Sequence, residues 1–229
     1  MPNVDVIMSV FGSMETVKNC IDSLYPLPES WNLYVYENIC SELDGTHEYL
    51  IQSQKNFGFK LISEKINVTH GNAILKLVKC SSSQWILHLD SDSKLLDRKF
   101  YDSINSSLTK EKFKVWGRVD PTFNIPNAKR DSIKLIRAHA WNILFERDFF
   151  INNQISPMPF LKKFNVSHKN DSLRNVHIVG DTFWHLYWES SRQDLFGRYT
   201  DEMWECWIHL NHASCDFRDK NKRHIKFTN

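Results

Sequence analysis

Trp85-Ile86-Leu87-His88-Leu89-Asp90-Ser91-Asp92 is a run of apolar and aromatic residues that ends in two carboxylates one residue apart. A short run of this kind is typical of a buried central strand in a parallel sheet. Open α/β sheets bind ligands beyond the carboxyl ends of their strands, which is where Asp90 and Asp92 stand. The stretch therefore predicts a central strand and, at its end, a candidate binding site.

Upstream of this stretch, the apolar residues alternate between two spacings. Val4–Val10 is a compact apolar run typical of a strand, whereas Met14–Leu24 carries apolar or small residues at helical spacing. The alternation continues with predicted strands at Leu33–Tyr36 and Phe57–Ser63 and predicted helices at Glu48–Gln54 and Asn72–Lys79. Strands that alternate with helices predict an α/β fold with a doubly wound, mostly parallel sheet flanked by helices.

Downstream of residue 110 the pattern is less regular. The sequence predicts a strand near Phe113–Val119, an aromatic-rich segment Ala138–Ile151, a long polar surface loop over residues 152–176, and two aromatic helices at about Thr182–Ser190 and Asp201–Ala213. Thr200 is the expected N-cap of the second helix. The basic tail Asp216–Asn229 is expected to be frayed, with peripheral contact to anionic lipid as the alternative.

The composition excludes several classes of protein. With 29 Lys and Arg against 27 Asp and Glu, the chain lacks the positive excess of a non-specific nucleic-acid binder. Its apolar runs are short and broken by charge, so we expect no transmembrane segment. Asp5 interrupts the first apolar run, which favours a first strand over a signal peptide. The five cysteines form no C-x-x-C pair, which favours a reducing, cytoplasmic environment.

The paired carboxylates Asp90 and Asp92 suggest a metal site. Hard carboxylate oxygens suit Mg²⁺ or Mn²⁺, which accept phosphate oxygens as further ligands. A D-x-D triplet also occurs by chance in solvated turns and helix caps, but the preceding strand favours a functional pair. A metal–diphosphate site at the end of this strand is the resulting hypothesis.

Several motifs together resemble the GT-A-fold nucleotide-sugar glycosyltransferases, most closely the family 2 type. They are the opening strand (residues 5–11), the segment Thr69-His70-Gly71-Asn72-Ala73 before a helix, residues 85–92, and Trp141–Phe150 on the acceptor side. The resemblance spans roughly residues 4 to 190 and is strongest up to Lys94. It implies a single domain over residues 1–229, with a nucleotide-sugar-binding half (1–110) and a less regular acceptor-side half (111–229).

The resemblance also implies roles for individual residues. Asp90 and Asp92 would hold a metal ion and the ribose-diphosphate of the donor, with Asp92 the stronger metal ligand. The family usually has an Asp at the end of the second strand, where this chain has Glu37-Asn38, so the base of the UDP- or GDP-linked donor is left open. The residues expected to contact the nucleotide are Val10, Phe11, Glu37, His70, Asn72, Asp90 and Ser91.

An inverting transferase requires a carboxylate that takes the proton from the attacking acceptor hydroxyl. Asp181, at a predicted helix start, is preferred as this base, and the acidic pair Asp201-Glu202 is the alternative. Both positions also suit plain helix capping and compensation of the helix dipole.

A third metal ligand is expected late in the chain. His209 and His212 share a face of the predicted last helix, and His212 is preferred. His177, in a His-x-x-Gly segment that resembles the retaining branch of the fold, is a further candidate, so inversion and retention both stay open.

Four tryptophans fall in the two predicted terminal helices, and they favour core packing over a sugar-stacking platform. They are Trp184, Trp188, Trp204 and Trp207.

The predicted function is metal-dependent transfer of a sugar, of the hexosyl type, from a nucleotide diphosphate sugar to a glycan or other hydroxyl acceptor. One alternative is a phosphatase of the haloacid dehalogenase type with Asp90 as nucleophile. Its motif belongs on the first strand, which argues against it here. The other alternative is a non-catalytic nucleotide- or sugar-binding module.

Overall fold

A computed structural model describes residues 2–38, 44–65, 68, 70–110, 112–120, 137–156, 182–183 and 185–210. The first elements are β1 (Val4–Val10), α1 (Met14–Leu24), β2 (Trp31–Asn38), α2 (Thr46–Phe57), β3 (Lys60–Glu64), α3 (His70–Cys80), β4 (Trp85–Asp90) and β5 (Ser93–Leu95). They are followed by α4 (Lys99–Lys110), β6 (Val115–Asp120), β7 (Arg137–Glu146) and α5 (Arg147–Asn152). The last are the helical residues 182–183, then α6 (helical residues 185–192), β8 (Phe196–Arg198), α7 (Asp201–Glu205) and β9 (Trp207–His209).

Seven strands form the central sheet, in the order β3-β2-β1-β4-β7-β6-β8. The pairs β3–β2, β2–β1, β1–β4 and β6–β8 are parallel, whereas β7 runs antiparallel to both β4 and β6. This architecture confirms the predicted α/β fold with a mostly parallel sheet. Because β1 and β4 are parallel neighbours, the end of β4 lies beside the end of β1.

The sheet separates two apolar layers, and the alternation of side chains along each strand decides which layer a residue enters. In β4, Leu87 and Leu89 pack in the layer that contains α1, whereas Ile86 packs in the layer that contains α3. Helix α1 buries its predicted stripe, and α3 buries a similar one. By the same alternation His88 and Asp90 lie on the α3 side of the sheet, which places the end of β4 near the start of α3.

A buried carboxylate fixes the position of β4 against β1. Asp5 in β1 is fully buried and accepts hydrogen bonds from the backbone amides of Ser82 and Ser83, at 2.9 and 3.0 Å. It also accepts from Ser83 Oγ at 2.8 Å and from Asn32 Nδ2 at 3.1 Å. Asp5 thus ties the turn that enters β4 to the centre of the sheet.

The predicted helix Asp201–Ala213 is wrong beyond its first turn. Helix α7 ends at Glu205, and Trp207–His209 then form β9, which pairs antiparallel with β5. Thr200 does cap α7, since its side chain accepts a hydrogen bond from the amide of Met203. Trp207 is buried and Ile208 is exposed, an alternation that fits a strand, and pairing with β5 satisfies backbone groups that a longer helix would have satisfied internally.

Smaller differences concern element ends. The third strand starts at Lys60 because α2 runs to Phe57 and ends at Gly58, which has a left-handed φ of 74°. The predicted helix near 182–190 is confirmed at its described residues. Most of the predicted loop over 152–176 and the basic tail lie outside the described residues.

Among the residues that the structure describes, no helix combines the length and the apolar character needed to cross a bilayer.

Candidate metal and nucleotide site

The site lies where β4 leaves the sheet. Asp90 is the last residue of β4 and stands in register with Ser9 of β1, while Ser91 and Asp92 form the turn into β5. The side chain of Asp90 is 24% exposed and that of Asp92 is 7% exposed. Asp90 is therefore the more accessible of the two carboxylates, and Asp92 is held within the protein.

The β5–β9 pairing brings a histidine to these carboxylates. Ser93 pairs with His209, and the amide of Leu210 donates a hydrogen bond to the carbonyl of Asp92 at 2.8 Å. His209 Nε2 consequently lies 3.1 Å from Asp92 Oδ1 and 3.9 Å from Asp90 Oδ2. Two carboxylate oxygens and one imidazole nitrogen all fall within 4.8 Å of one another.

This set of donors fits a divalent cation of the Mn²⁺ or Mg²⁺ class. Carboxylates suit both ions, and an imidazole favours the transition metal, so the combination fits Mn²⁺ best. The sequence placed His209 and His212 on one helix face, and His212 is the preferred candidate of the two. The strand conformation of residues 207–209 removes that shared face, and His212 lies outside the described residues.

The charges of the site favour an ionised Asp90. Burial by itself would raise its pKa, but the imidazoles of His70, His88 and His209 outweigh burial and lower the pKa of Asp90 to about 2. For His209, burial works against protonation, yet the neighbouring Asp92 and Asp90 carboxylates prevail and raise its pKa. The cluster therefore attracts a positive charge, which a proton or a metal ion can supply.

Two further histidines surround Asp90. His70, the first residue of α3, places Nε2 at 3.5 Å from Asp90 Oδ1, which brings together two residues that the sequence assigned to the nucleotide. His88 in β4 places Nε2 at 3.8 Å from the same oxygen. His88 is not among the site residues predicted from the sequence, although its i, i+2 spacing to Asp90 puts both residues on one face of the strand. Asn72, also in α3, is exposed.

The other residues expected to contact the nucleotide lie at or beside the carboxyl ends of β1 and β2. Val10 is buried and stands in register with Glu37, while Phe11 is partly exposed. The buried carboxylate of Glu37 lies 2.9 Å from His47 Nδ1 and accepts a hydrogen bond from Ser63 Oγ. No local pattern pointed to His47, because its contact with Glu37 depends on how α2 packs beside β2.

An aromatic cluster lies beside His209. The ring of Trp141 in β7 stacks on the His209 imidazole, with centroids 5.3 Å apart and planes 21° apart. Trp204 of α7 packs against Trp141 at 4.3 Å and against the guanidinium of Arg118 at 5.2 Å. Trp204 is thus packed on protein groups, in line with the preferred core interpretation of these tryptophans.

The remaining tryptophans differ in environment. Trp207 is buried and packs edge-on against Phe100. Trp188 is partly buried beneath the Arg192 guanidinium. Trp184 lies outside the described residues.

Of the candidates for the catalytic base, Asp201 and Glu202 lie among the described residues. Asp201 stands in the first turn of α7 with 89% of its side chain exposed, and it lies 3.5 Å from Arg118. Glu202 beside it is exposed as well. Asp181 and the alternative metal ligand His177 lie outside the described residues, so the choice of base remains a prediction.

Comparison with known proteins places this chain among glycosyltransferases. The family described as glycosyl transferase family 2 matches residues 5–161, more than half of the chain. A search of curated protein sequences finds no match. Solved structures with the same GT-A fold match at low sequence identity.

Three of these structures illustrate the likeness. The mannosyltransferase PcManGT from Pyrobaculum calidifontis, in complex with GDP-Man and Mn²⁺, has a TM-score of 0.52 and 15% identity, over 66% of this chain and 46% of that one. S. aureus TarS 1-349 in complex with UDP-GlcNAc has a TM-score of 0.61 and 13% identity, over 87% of this chain and 56% of that one. Glucosyl-3-phosphoglycerate synthase from Mycobacterium tuberculosis, in complex with Mn²⁺, UDP and phosphoglyceric acid, has a TM-score of 0.59 and 14% identity, over 94% of this chain and 73% of that one. The chain thus spans about half the length of the first two proteins.

Proposed function

Since this chain belongs to glycosyl transferase family 2, we propose that it transfers a sugar from a nucleotide diphosphate sugar to a hydroxyl group of an acceptor, with Asp90, Asp92 and His209 holding a divalent metal ion. The observation that carries the proposal is the convergence of these three side chains at the carboxyl end of β4. That edge of the sheet is where open α/β folds bind their ligands.

The protein residues have distinct parts in this proposal. Asp92 and His209 lie close enough to share one ion, and Asp90 offers a second, more accessible carboxylate. When bound, the ion supplies positive charge that neutralises the departing nucleoside diphosphate. The low pKa of Asp90 keeps its carboxylate ionised and available as a ligand at neutral pH.

We propose Mn²⁺ as the ion and a UDP- or GDP-linked hexose as the donor. The imidazole ligand favours Mn²⁺ over Mg²⁺. The similar structures named above contain GDP-Man with Mn²⁺, UDP-GlcNAc, and UDP with Mn²⁺. The nucleoside would lie along the ends of β1 and β2, against Val10 and Phe11, with the Glu37–His47 pair beside it.

We propose Asp181 as the base that activates the acceptor hydroxyl, with inversion at the sugar carbon. Asp201 is the alternative, but its exposed carboxylate and its contact with Arg118 suit a surface ion pair. The acceptor is a glycan or another hydroxyl compound.

We assign the reaction to the cytoplasm. The cysteines that the structure describes, Cys20, Cys80 and Cys206, are free thiols, which suits a reducing compartment. The phosphatase alternative has no support from the topology, since Asp90 ends the fourth strand along the chain and three strands precede that one.

The test is release of free nucleotide from a panel of UDP- and GDP-sugars in the presence of Mn²⁺. Wild type should release nucleotide from at least one donor, and Asp92→Asn should abolish the release because an amide is a poorer ligand for a hard cation. Asp102→Asn, which changes an exposed carboxylate in α4, is the matched control and should keep full activity. Equal nucleotide release by wild type and Asp92→Asn would overturn the assignment of the metal site.

A further inference from the structure

One oxygen of Asp90 faces two histidines that the metal site described above does not use. His70 Nε2 and His88 Nε2 lie 3.5 and 3.8 Å from Asp90 Oδ1. The three potential ligand atoms all lie within 4.8 Å of one another. They come from the start of α3 and from two positions of β4, so the packing of α3 on the sheet creates the cluster.

The distances suit two ligands of one metal ion. Two ligands that each lie about 2.1 Å from one tetrahedral ion are separated by about 3.4 Å. The distances from Asp90 to His70 and His88 are close to this value.

The two oxygens of Asp90 are divided between the two groups of residues. Oδ1 faces His70 and His88, whereas Oδ2 lies 3.9 Å from His209. A carboxylate with this arrangement can bind one ion through each oxygen. Occupation of one group therefore leaves an oxygen of Asp90 for the other.

We propose that His70, His88 and Asp90 form a second divalent-cation site, suited to Zn²⁺. Two imidazoles and one carboxylate are a ligand set that Zn²⁺ accepts, with a fourth position left for water. The side chains of His70 and Asp90 are 21% and 24% exposed, so an ion can reach them, while His88 is fully buried. The His88 ring packs against Phe183 at 4.7 Å and perpendicular to the His70 ring, which fixes its orientation.

The bound ion would join the start of α3 to the end of β4. Since it would bind the folded protein only, Zn²⁺ should also raise the temperature of unfolding. This inference needs no nucleotide sugar and does not depend on the proposed transfer reaction.

The test is the number of Zn²⁺ ions bound by the full chain without nucleotide, measured by equilibrium dialysis of chelator-treated protein followed by metal analysis. Wild type should bind two ions, one at each group around Asp90. His70→Gln should bind one, and His209→Gln should also bind one, because each variant removes a ligand of a different site. His185→Gln, which changes a histidine beside Glu189 and belongs to neither group of ligands, is the control and should still bind two.

Circular dichroism and thermal unfolding of the metal-free variants show whether each has folded. His70 is the preferred position because it is partly exposed, and His88→Gln provides a second variant of the same site. Retention of the wild-type number of bound ions by both folded His70→Gln and folded His88→Gln would overturn the proposal. The binding experiment contains no sugar donor. If the chain binds two ions but releases no nucleotide from any sugar donor in the separate transfer assay, only the proposed function is contradicted.

Discussion

His209 Nε2 lies 3.1 Å from Asp92 Oδ1, and the antiparallel pairing of β5 with β9 sets that distance. The two residues are far apart in the chain, and they meet because β5 begins directly after Asp92 and pairs with β9. The hydrogen bond from the Leu210 amide to the Asp92 carbonyl holds the two segments together at this point. The candidate metal site therefore depends on a strand pair outside the main sheet.

Replacement of His209 by Gln should lower the affinity for Mn²⁺ by at least about 10-fold, because the imidazole ligand is lost. Titration of Mn²⁺ followed by electron paramagnetic resonance measures this affinity directly. His139→Gln is the matched control, since His139 packs on Trp204 in the same aromatic cluster. Equal affinities in wild type and His209→Gln would remove His209 from the ligand set.

The titration of His209 should depend on Asp92. Burial opposes protonation of His209, but the Asp92 and Asp90 carboxylates outweigh it and raise its pKa. In metal-free protein this group contributes stability that is fully present below the unfolded pKa of about 6.5 and is lost as the pH rises through the folded value. An NMR titration of the imidazole should therefore give a lower pKa in Asp92→Asn than in wild type, and an unchanged pKa would contradict the contact.

Mn²⁺ must displace the proton that His209 carries, so its binding should weaken on acidification. The apparent affinity should rise with pH until the pH exceeds the raised pKa of His209. His209→Gln should lack this part of the pH dependence. A pH profile identical to that of wild type would place the titrating ligand elsewhere.

Loss of the stacked indole should disturb His209 without removing a ligand. Trp141→Leu takes away the ring that packs at 21° to the imidazole, so we expect Mn²⁺ affinity to fall by about 10-fold, the lower end of the effects found for groups that orient metal ligands. Trp141→Phe retains an aromatic face and should lose less. If the Leu variant folds and binds Mn²⁺ as wild type does, the stacking has no part in orienting the ligand.

Asp5 should be among the most sensitive positions for stability. Asp5→Ala leaves the amides of Ser82 and Ser83 without their buried acceptor, which should lower the free energy of unfolding by about 2–4 kcal/mol. Urea denaturation measures the difference. The surface residue Asp22 is the control, and Asp22→Ala should change stability by about 0.5 kcal/mol or less. A loss below about 1 kcal/mol in Asp5→Ala would mean that other groups satisfy the turn.

The two base candidates can be separated by matched substitutions. Asp181→Asn should lower sugar transfer by about 10²–10⁴-fold while leaving nucleotide binding nearly intact, which is the behaviour of a general base. Asp201→Asn should remove only its surface contact with Arg118. If Asp201→Asn abolishes transfer and Asp181→Asn does not, the roles are exchanged.

The central sheet could be predicted from the sequence because its signals are local. Residues 85–89 form an apolar run of strand length, and the helices before it carry clear apolar stripes, so their order was enough to predict a mostly parallel sheet. The position of Asp90 and Asp92 at a strand end followed from the same pattern.

The position of His209 could not be predicted in this way. Strand β9 has only three residues, too few to show a period, and its conformation depends on pairing with the distant β5. The contact between Glu37 and His47 also depends on packing between elements. His88 is different, since its spacing from Asp90 was visible in the sequence and would have identified it as a neighbour.

The β5–β9 pair also couples metal binding to the local separation of these two strands. The backbone amides of Leu96 and Leu210 donate hydrogen bonds to the carbonyls of Cys206 and Asp92, which link the β5 and β9 segments. These amides therefore exchange with solvent when the two strands separate. An ion shared by Asp92 and His209 must be released before the two strands part, and hydrogen exchange at these amides would slow in proportion to its occupancy. Two backbone protons can therefore report occupation of a site built from side chains.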